Sequence, residues 1–149
     1  AEVLREAGAA MQYQFDINGC ECVLDVQCAS CPVSIDPAAM QEALINVMSN
    51  AIKYSGDSRR VVLTVQRNRF GAHVSVQDFG PGISADDLPR LFDPFFRSAA
   101  EHVQRQGGVG LGLSLVRHIM TAHGGAIDIQ SAPGRGTVFS LILPIQEAV

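Results

Sequence analysis

Apolar positions along this chain recur first at helical spacing and then in alternation, and the changes of period mark out its elements. Leu4, Ala7 and Met11 follow a helical stripe that Gly8 interrupts, and from Met11 onward Tyr13, Phe15 and Ile17 alternate with polar residues as in a strand. The pattern predicts a helical lead-in over about residues 1–9 and a strand after it. Asn18-Gly19 then suits a two-residue hairpin turn into a second alternating run, Cys20, Cys22, Leu24 and Val26; one longer helix capped at Asn18-Gly19 is the competing reading. Pro32 to Ile35 reads as a further short extended piece. Asp36-Pro37 places an N-cap before a proline at the first helical position, and Met40, Leu44, Val47, Met48, Ala51 and Ile52 form a broad stripe over a helix from Ala38 to Tyr54.

Past the Ser55-Gly56-Asp57 stop, two β-rich runs, Val61 to Val65 and His73 to Gln77, predict an antiparallel hairpin. A short helix is expected near Ala85 to Arg90. Ser98 to Gln106 is polar and without period, as a functional loop would be. A helix over Leu111 to His123 and strands over Ala126 to Gln130 and Thr137 to Leu143 complete the chain. Helices and antiparallel strands alternate without regular βαβ spacing, so the predicted class is α+β, a two-layer sandwich.

Composition narrows the function. The chain has 149 residues, 47% hydrophobic and 17% charged, which is enough for a core of its own and excludes a disordered tail or a coiled coil. Its formal charge is −4 and it has no basic tract, so nucleic acid is not an expected partner, whereas backbone amides can still hold a small anion. No run is long and apolar enough for a membrane span, so the domain is expected to be cytoplasmic and to make no direct membrane contact. The first residue is Ala1 rather than Met, which suggests a piece of a longer protein.

Three glycine-rich turns and one polar helix face could carry chemistry. Asn46, Asn50 and Lys53 fall along one face of the helix that is apolar on its other side, with Tyr54 at the edge. This is either a solvated face or a site for a metal-bound phosphate, since amide oxygens are hard ligands for Mg²⁺ and lysine is a point charge for phosphate. Asp78-Phe79-Gly80-Pro81-Gly82 directly follows a strand, and a carboxylate there can accept from the amino group of an adenine edge. Gly107 to Gly112 leads into a helix, whose exposed amides and positive end suit phosphate. It lacks the Lys-Ser/Thr ending of a P-loop and the preceding strand of a dinucleotide fold. Gly134-Arg135-Gly136-Thr137 forms the third turn, and a plain hairpin would also explain it.

Taken in order, these segments resemble the ATP-binding domain of sensor histidine kinases, in the GHKL superfamily of Bergerat fold. Gln41 to Ser55 is similar to the asparagine box, Asp78 to Ile83 to the first glycine box, and Leu91 to Arg97 to the phenylalanine box. Gly108 to Leu113 is similar to the second glycine box and Gly134 to Thr137 to the last. The resemblance implies a mixed sheet with helices on one face and an ATP lid over Ser98 to Gln106. Residues 1–9 would lead in from an upstream dimerisation domain and 10–149 would form the catalytic domain.

The resemblance also implies roles. ATP and Mg²⁺ would be the ligands, with Asn50 the main metal ligand and Asn46 beside it. Lys53, Tyr54 and Arg97 would approach the phosphates, and Asp78 would read the adenine amino group. Gly82 would admit the base and Thr137 would support it. Gly108, Gly110 and Gly112 would present amides to phosphate, with Gly80, Ile83, Phe92, Val109, Leu111 and Leu113 completing the nucleotide contacts. Valine at position 109 stands where threonine is frequent in the family, and the lid has few charges.

Gyrase-like ATPases and anti-sigma serine kinases of this superfamily place a glutamate general base where Asn46 stands. Water and serine hydroxyls need help with deprotonation, whereas a neutral histidine nitrogen already offers a lone pair. Asn46 therefore favours γ-phosphoryl transfer to histidine, assisted by Arg97 and Lys53, over hydrolysis. Glu42 is one turn away and reads as solvated. His73, His102, His118 and His123 match no phosphoacceptor motif, so the acceptor is expected in an upstream dimerisation helix of a homodimeric, membrane-anchored parent. A response-regulator receiver domain is the implied downstream partner. A non-catalytic regulatory module of the same fold, and a GHKL ATPase or serine kinase, are the alternatives. Cys20, Cys22, Cys28 and Cys31 form CxCx₅CxxC, for which a zinc site or a redox role is a hypothesis and core packing the expectation; a reducing cytosol argues against disulfides.

Overall fold

The helical stripe that begins at Leu4 does not stop at Gly8. In the computed structural model, which describes residues 1–93 and 112–146, helix α1 runs over Glu2–Ile17 and buries Leu4, Ala7, Met11 and Phe15 on one face. This overturns the strand expected from Met11 onward. Tyr13 and Ile17, the intervening members of the apparent alternation, are 69% and 58% exposed, so Met11 and Phe15 belong to a helical stripe. Asn18-Gly19 is accordingly a helix cap and no hairpin turn. Gly19 takes φ 62°, its amide donates to Asp16 O, and the Cys20 amide donates to Phe15 O at 2.8 Å.

Strand β1 (Glu21–Val26) follows, and a loop leads to α2 (Pro37–Tyr54). Pro32 to Ile35 forms no strand. The Asp36 side chain caps α2 by accepting from the Ala38 and Ala39 amides, a device worth about 1 kcal/mol. β2 (Arg60–Asn68) and β3 (Gly71–Asp78) form the expected hairpin, and the expected helix near Ala85 to Arg90 is a single 3₁₀ turn over Leu88–Arg90. α3 (Gly112–Ala122), β4 (Ala126–Ser131) and β5 (Thr137–Leu143) complete the described elements.

The five strands lie in the order β1-β2-β3-β5-β4, with β1 parallel to β2 and the other neighbours antiparallel. Their register places Val61, Asp78 and Thr137 in one row and Leu63, Val76 and Phe139 in the next. All six side chains are buried, so one sheet face carries the core. α2 packs between α1 and α3 against that face. The opposite face is more polar, and there the Ser75 and Ser140 hydroxyls pair at 3.2 Å.

His123, just beyond α3, joins two helices. Its Nε2 accepts from the Asp36 amide at 3.0 Å and its Nδ1 donates to Ile119 O at 2.7 Å, so the ring bridges the start of α2 and the end of α3. Cys28 and Cys31 are joined as a disulfide, contrary to the expectation of reduced cysteines, while Cys20 and Cys22 are free. The two bonded residues are only three apart on the loop after β1, and their Cα atoms, 6.7 Å apart, fall within bridging range.

Candidate functional site

β3 ends at Asp78, flanked by Val61 of β2 and Thr137 of β5. This places a carboxylate in the buried row of the sheet, with no exposed surface. Oδ1 accepts from the Gly80 amide at 3.0 Å, whereas Oδ2 is buried and has no hydrogen-bond partner among the described residues. Burial pushes the carboxyl up to about 6, and the Gly80 and Thr137 backbone amides work in the opposite direction. An unpaired buried acceptor costs on the order of 1–3 kcal/mol, so Oδ2 is poised for a donor that the described residues do not supply.

The turn after Asp78 is fixed by close backbone approaches. A Cβ on Gly80 would run into the Tyr54 carbonyl at the end of α2, and one on Gly82, at φ 80°, would run into the Ala132 carbonyl. Ile83 behind them is 3% exposed, and its amide donates to Ser131 Oγ at 2.7 Å. The Ser131 hydroxyl donates to Gly136 O at 2.9 Å and lies 2.9 Å from Thr137 Oγ1. The Gly134 amide donates to Pro81 O at 2.8 Å. The first and last glycine turns are thereby one unit, with Asp78, Gly80, Gly82, Ile83 and Thr137 brought together.

Sequence reasoning missed Ser131, since a serine at a strand end carries no motif. It also missed the buried pair beneath the site. The Cys20 thiol lies against Ser55 and within the field of Asp78 and Arg59, and burial is the main cause that raises its pKa.

On α2, Asn46, Asn50 and Lys53 are partly exposed along one face, as their spacing predicts, and Tyr54 is 2% exposed. Asn46 Nδ2 donates to Glu42 O at 3.0 Å, which leaves Oδ1 turned toward α3; a Cβ on Gly112 would sit 3.0 Å from it. An amide oxygen therefore stands beside the first residue of a helix. Asn46 and Lys53 also line a cleft of about 640 Å³ with Gln14, Asn18 and Ser49, so this face is open and only partly apolar. Phe92 is half-buried under the Arg117 guanidinium, 5.5 Å from the ring centroid, and Leu113 is in the core. Arg97, Gly108, Val109, Gly110, Leu111 and the expected lid lie outside the described residues. Among the described residues, no group of three or more His, Cys, Asp and Glu side chains could hold a metal ion.

Residues 35–147 match the family model described as histidine kinase-, DNA gyrase B- and HSP90-like ATPase. The phosphate regulon sensor protein PhoR of Pseudomonas aeruginosa is 37% identical over 103 residues, covering 69% of this chain and 23% of that protein. The mycobacterial sensor histidine kinase MprB superposes with a TM-score of 0.82 at 28% identity, covering 99% of this chain and 96% of that one. Full-length ShkA in complex with AMPPNP gives a TM-score of 0.83 at 28% identity, covering 99% of this chain and 30% of that one. The chain spans about a quarter of the length of the sensor proteins PhoR, ZraS and SenX3, which are among the curated relatives it matches.

Proposed function

Since this chain belongs to the histidine kinase-, DNA gyrase B- and HSP90-like ATPases, we propose that it is the ATP-binding catalytic domain of a two-component sensor histidine kinase. The observation that carries this reading is the buried Asp78 carboxylate, whose Oδ2 lacks a partner among the described residues at the junction of two glycine turns. An adenine amino group supplies the missing donor. Ile83 and Thr137 would flank the base, beside the turn that Gly82 allows to pack on the Ala132 carbonyl.

At the phosphate end, the Asn46 and Asn50 carboxamide oxygens would hold Mg²⁺. The donor set fits, because Asn46 commits its Nδ2 to Glu42 and keeps Oδ1 toward Gly112. When bound, the ion supplies positive charge that offsets the phosphate oxygens. Lys53 and Arg97 would approach the same charge, with Tyr54 close by. The start of α3 would add amides at the positive end of its dipole, with Gly108 to Leu111 before it.

Asn46 offers no carboxylate to deprotonate water, so the domain positions ATP and leaves the nucleophile to another part of the protein. A histidine on an upstream dimerisation helix would receive the γ-phosphoryl group in line, and a receiver domain would take it on. The parent would be a membrane-anchored homodimer with this domain in the cytoplasm. Among the described residues no helix is long and apolar enough to cross a membrane.

The test is calorimetric titration of the chain with a non-hydrolysable ATP analogue, with and without Mg²⁺, beside Asn50→Ala and Asp78→Ala. Magnesium-dependent binding that both substitutions abolish is the expected result. Folded wild-type chain that binds no analogue would overturn the assignment, and rapid ATP turnover by the chain alone would point to an ATPase.

A further inference from the structure

The loop between β1 and α2 carries a feature that nucleotide binding does not use. Cys28 and Cys31 are bonded to each other across the exposed Ala29 and Ser30, and both remain only partly buried. The loop is pinned on either side of the pair. The Gln27 amide donates to Val65 O at 2.7 Å, and Pro32 O accepts from the Gln146 amide at 2.9 Å. Cys31 also lines an apolar cavity of about 130 Å³ together with Val3 and Leu4 from the first turn of α1, Val33 and Ile35 from the loop, and Met40 from α2.

We propose that Cys28 and Cys31 form a reversible thiol–disulfide site that exchanges with small disulfides and thiols of the glutathione class, and that its bridge clamps the 27–35 loop against the first turn of α1. The site lies by the Val26 end of β1, whereas Cys20 and the Asp78 pocket lie by the other end, so it is distinct from the nucleotide pocket.

The chemistry balances with a glutathione disulfide as oxidant. One cysteine thiolate attacks a glutathione sulfur, the glutathione S–S bond breaks, and the first glutathione leaves as a thiolate that takes up a proton. The second cysteine thiolate then attacks the mixed disulfide, the Cys28–Cys31 bond forms, and the second glutathione leaves in the same way. The protein gives up two electrons and two protons, which the oxidant receives.

The other two cysteines are poor competitors. Cys20 is 6% exposed, and Cys22 is pushed up to about 11 by burial and then by the nearby Cys20, so neither supplies much thiolate near neutral pH. The backbone already holds Cys28 and Cys31 at bridging separation, so exchange alters the tether between the ends of a short loop and requires no refolding. Loss of the bridge frees the Cys31 side of the cavity, and the first turn of α1 loses a fixed wall.

The experiment equilibrates the full chain in glutathione buffers of graded oxidised-to-reduced ratio, quenches with acid, alkylates the free thiols and counts the labels by mass spectrometry. The expected result is a fall from four labels to two in a single two-electron step, reversed by excess reduced glutathione, with both remaining labels on Cys20 and Cys22. Hydrogen exchange of the two end states should show the amides of residues 5–8, which close the first turn of α1, and those of residues 27–35 exchanging several-fold more slowly when oxidised. Cys31→Ser should stop the exchange at a glutathione mixed disulfide on Cys28, with no internal bond formed, and should abolish the difference in hydrogen exchange. Four labels in the most oxidising buffer, or a bridge that survives the most reducing one, would overturn the redox site. Equal exchange of residues 5–8 in the two end states of the wild-type chain would overturn the clamp, whether or not the variant folds.

Discussion

Ser131 Oγ receives the Ile83 amide hydrogen at 2.7 Å, and this bond fastens the turn after β3 to the end of β4. Ile83 is 3% exposed, so without that acceptor its amide is stranded where water scarcely reaches. Ser131→Ala should destabilise the chain by about 1–2 kcal/mol in urea unfolding. It should weaken binding of an ATP analogue on the order of tenfold through the displaced Ile83 and Thr137. Ser131→Thr, which keeps a hydroxyl, should recover most of both. Unaltered stability in Ser131→Ala would mean that the turn is held elsewhere.

Asp78 makes stability depend on pH in an unusual direction for a carboxylate. Its pKa rises from the ordinary 3.8 to about 6, because burial disfavours the charged form. The folded chain therefore binds the proton more tightly than the unfolded chain. The resulting stabilisation is full below pH 4, is lost as pH rises through 6, and amounts to about 2–3 kcal/mol. Asp78→Asn removes this dependence, so it should be more stable than wild type at pH 7 and should flatten the curve of unfolding free energy between pH 4.5 and 7.5. Binding should run the other way. Ionised Asp78 is the better acceptor for an adenine amino group, so analogue affinity should fall as pH drops through 6, and calorimetry in buffers of different ionisation heat should detect proton release on binding.

The parts legible in the sequence were those in which local chemistry and tertiary packing agree. Asp36-Pro37 starts α2, Asn46 and Lys53 share a face, and the hairpin of β2 and β3 forms where the alternation places it. α1 was misread because Met11, Tyr13, Phe15 and Ile17 satisfy a period of two and, in part, a period near four. Only burial separates them: Phe15 has no exposed surface while Tyr13 is 69% exposed. Asp78 announces itself in a glycine motif, whereas Ser131 acts through a contact 48 residues away in sequence. The Cys28–Cys31 bond ran against an argument from cellular compartment, which has no bearing on whether two side chains meet.

Two glycines separate space from propensity. Gly8 lies inside α1, where an added Cβ would meet nothing nearer than Leu63 Cδ1 at 3.9 Å. Gly8→Ala should thus stabilise the chain by about 0.5–1 kcal/mol through helix propensity and a less flexible unfolded state. Gly80→Ala meets the Tyr54 carbonyl, which is backbone and cannot rotate aside. It should cost about 2 kcal/mol or more and should disturb analogue binding, because the Asp78 turn must lift from α2. Thermal unfolding of both variants checks the pair, and equal effects would show that the two positions are not distinguished by space.

His123 adds a hydrogen-bonded link between the helices that frame the site. Its ring accepts the Asp36 amide hydrogen and donates to Ile119 O, so it ties the start of α2 to the last turn of α3. The Asp36 side chain caps α2 independently, through the Ala38 and Ala39 amides. His123→Ala should therefore leave α2 capped while removing the bridge, at a cost of about 1–2 kcal/mol. Asp36→Ala removes the cap and leaves the bridge, at about 1 kcal/mol. The double variant should lose more than either alone. The distinguishing readout is hydrogen exchange at the two ends of the bridge: faster exchange near Asp36 in both single variants, and near Ile119 in His123→Ala alone. Faster exchange near Ile119 in Asp36→Ala would show that cap and bridge act as one unit.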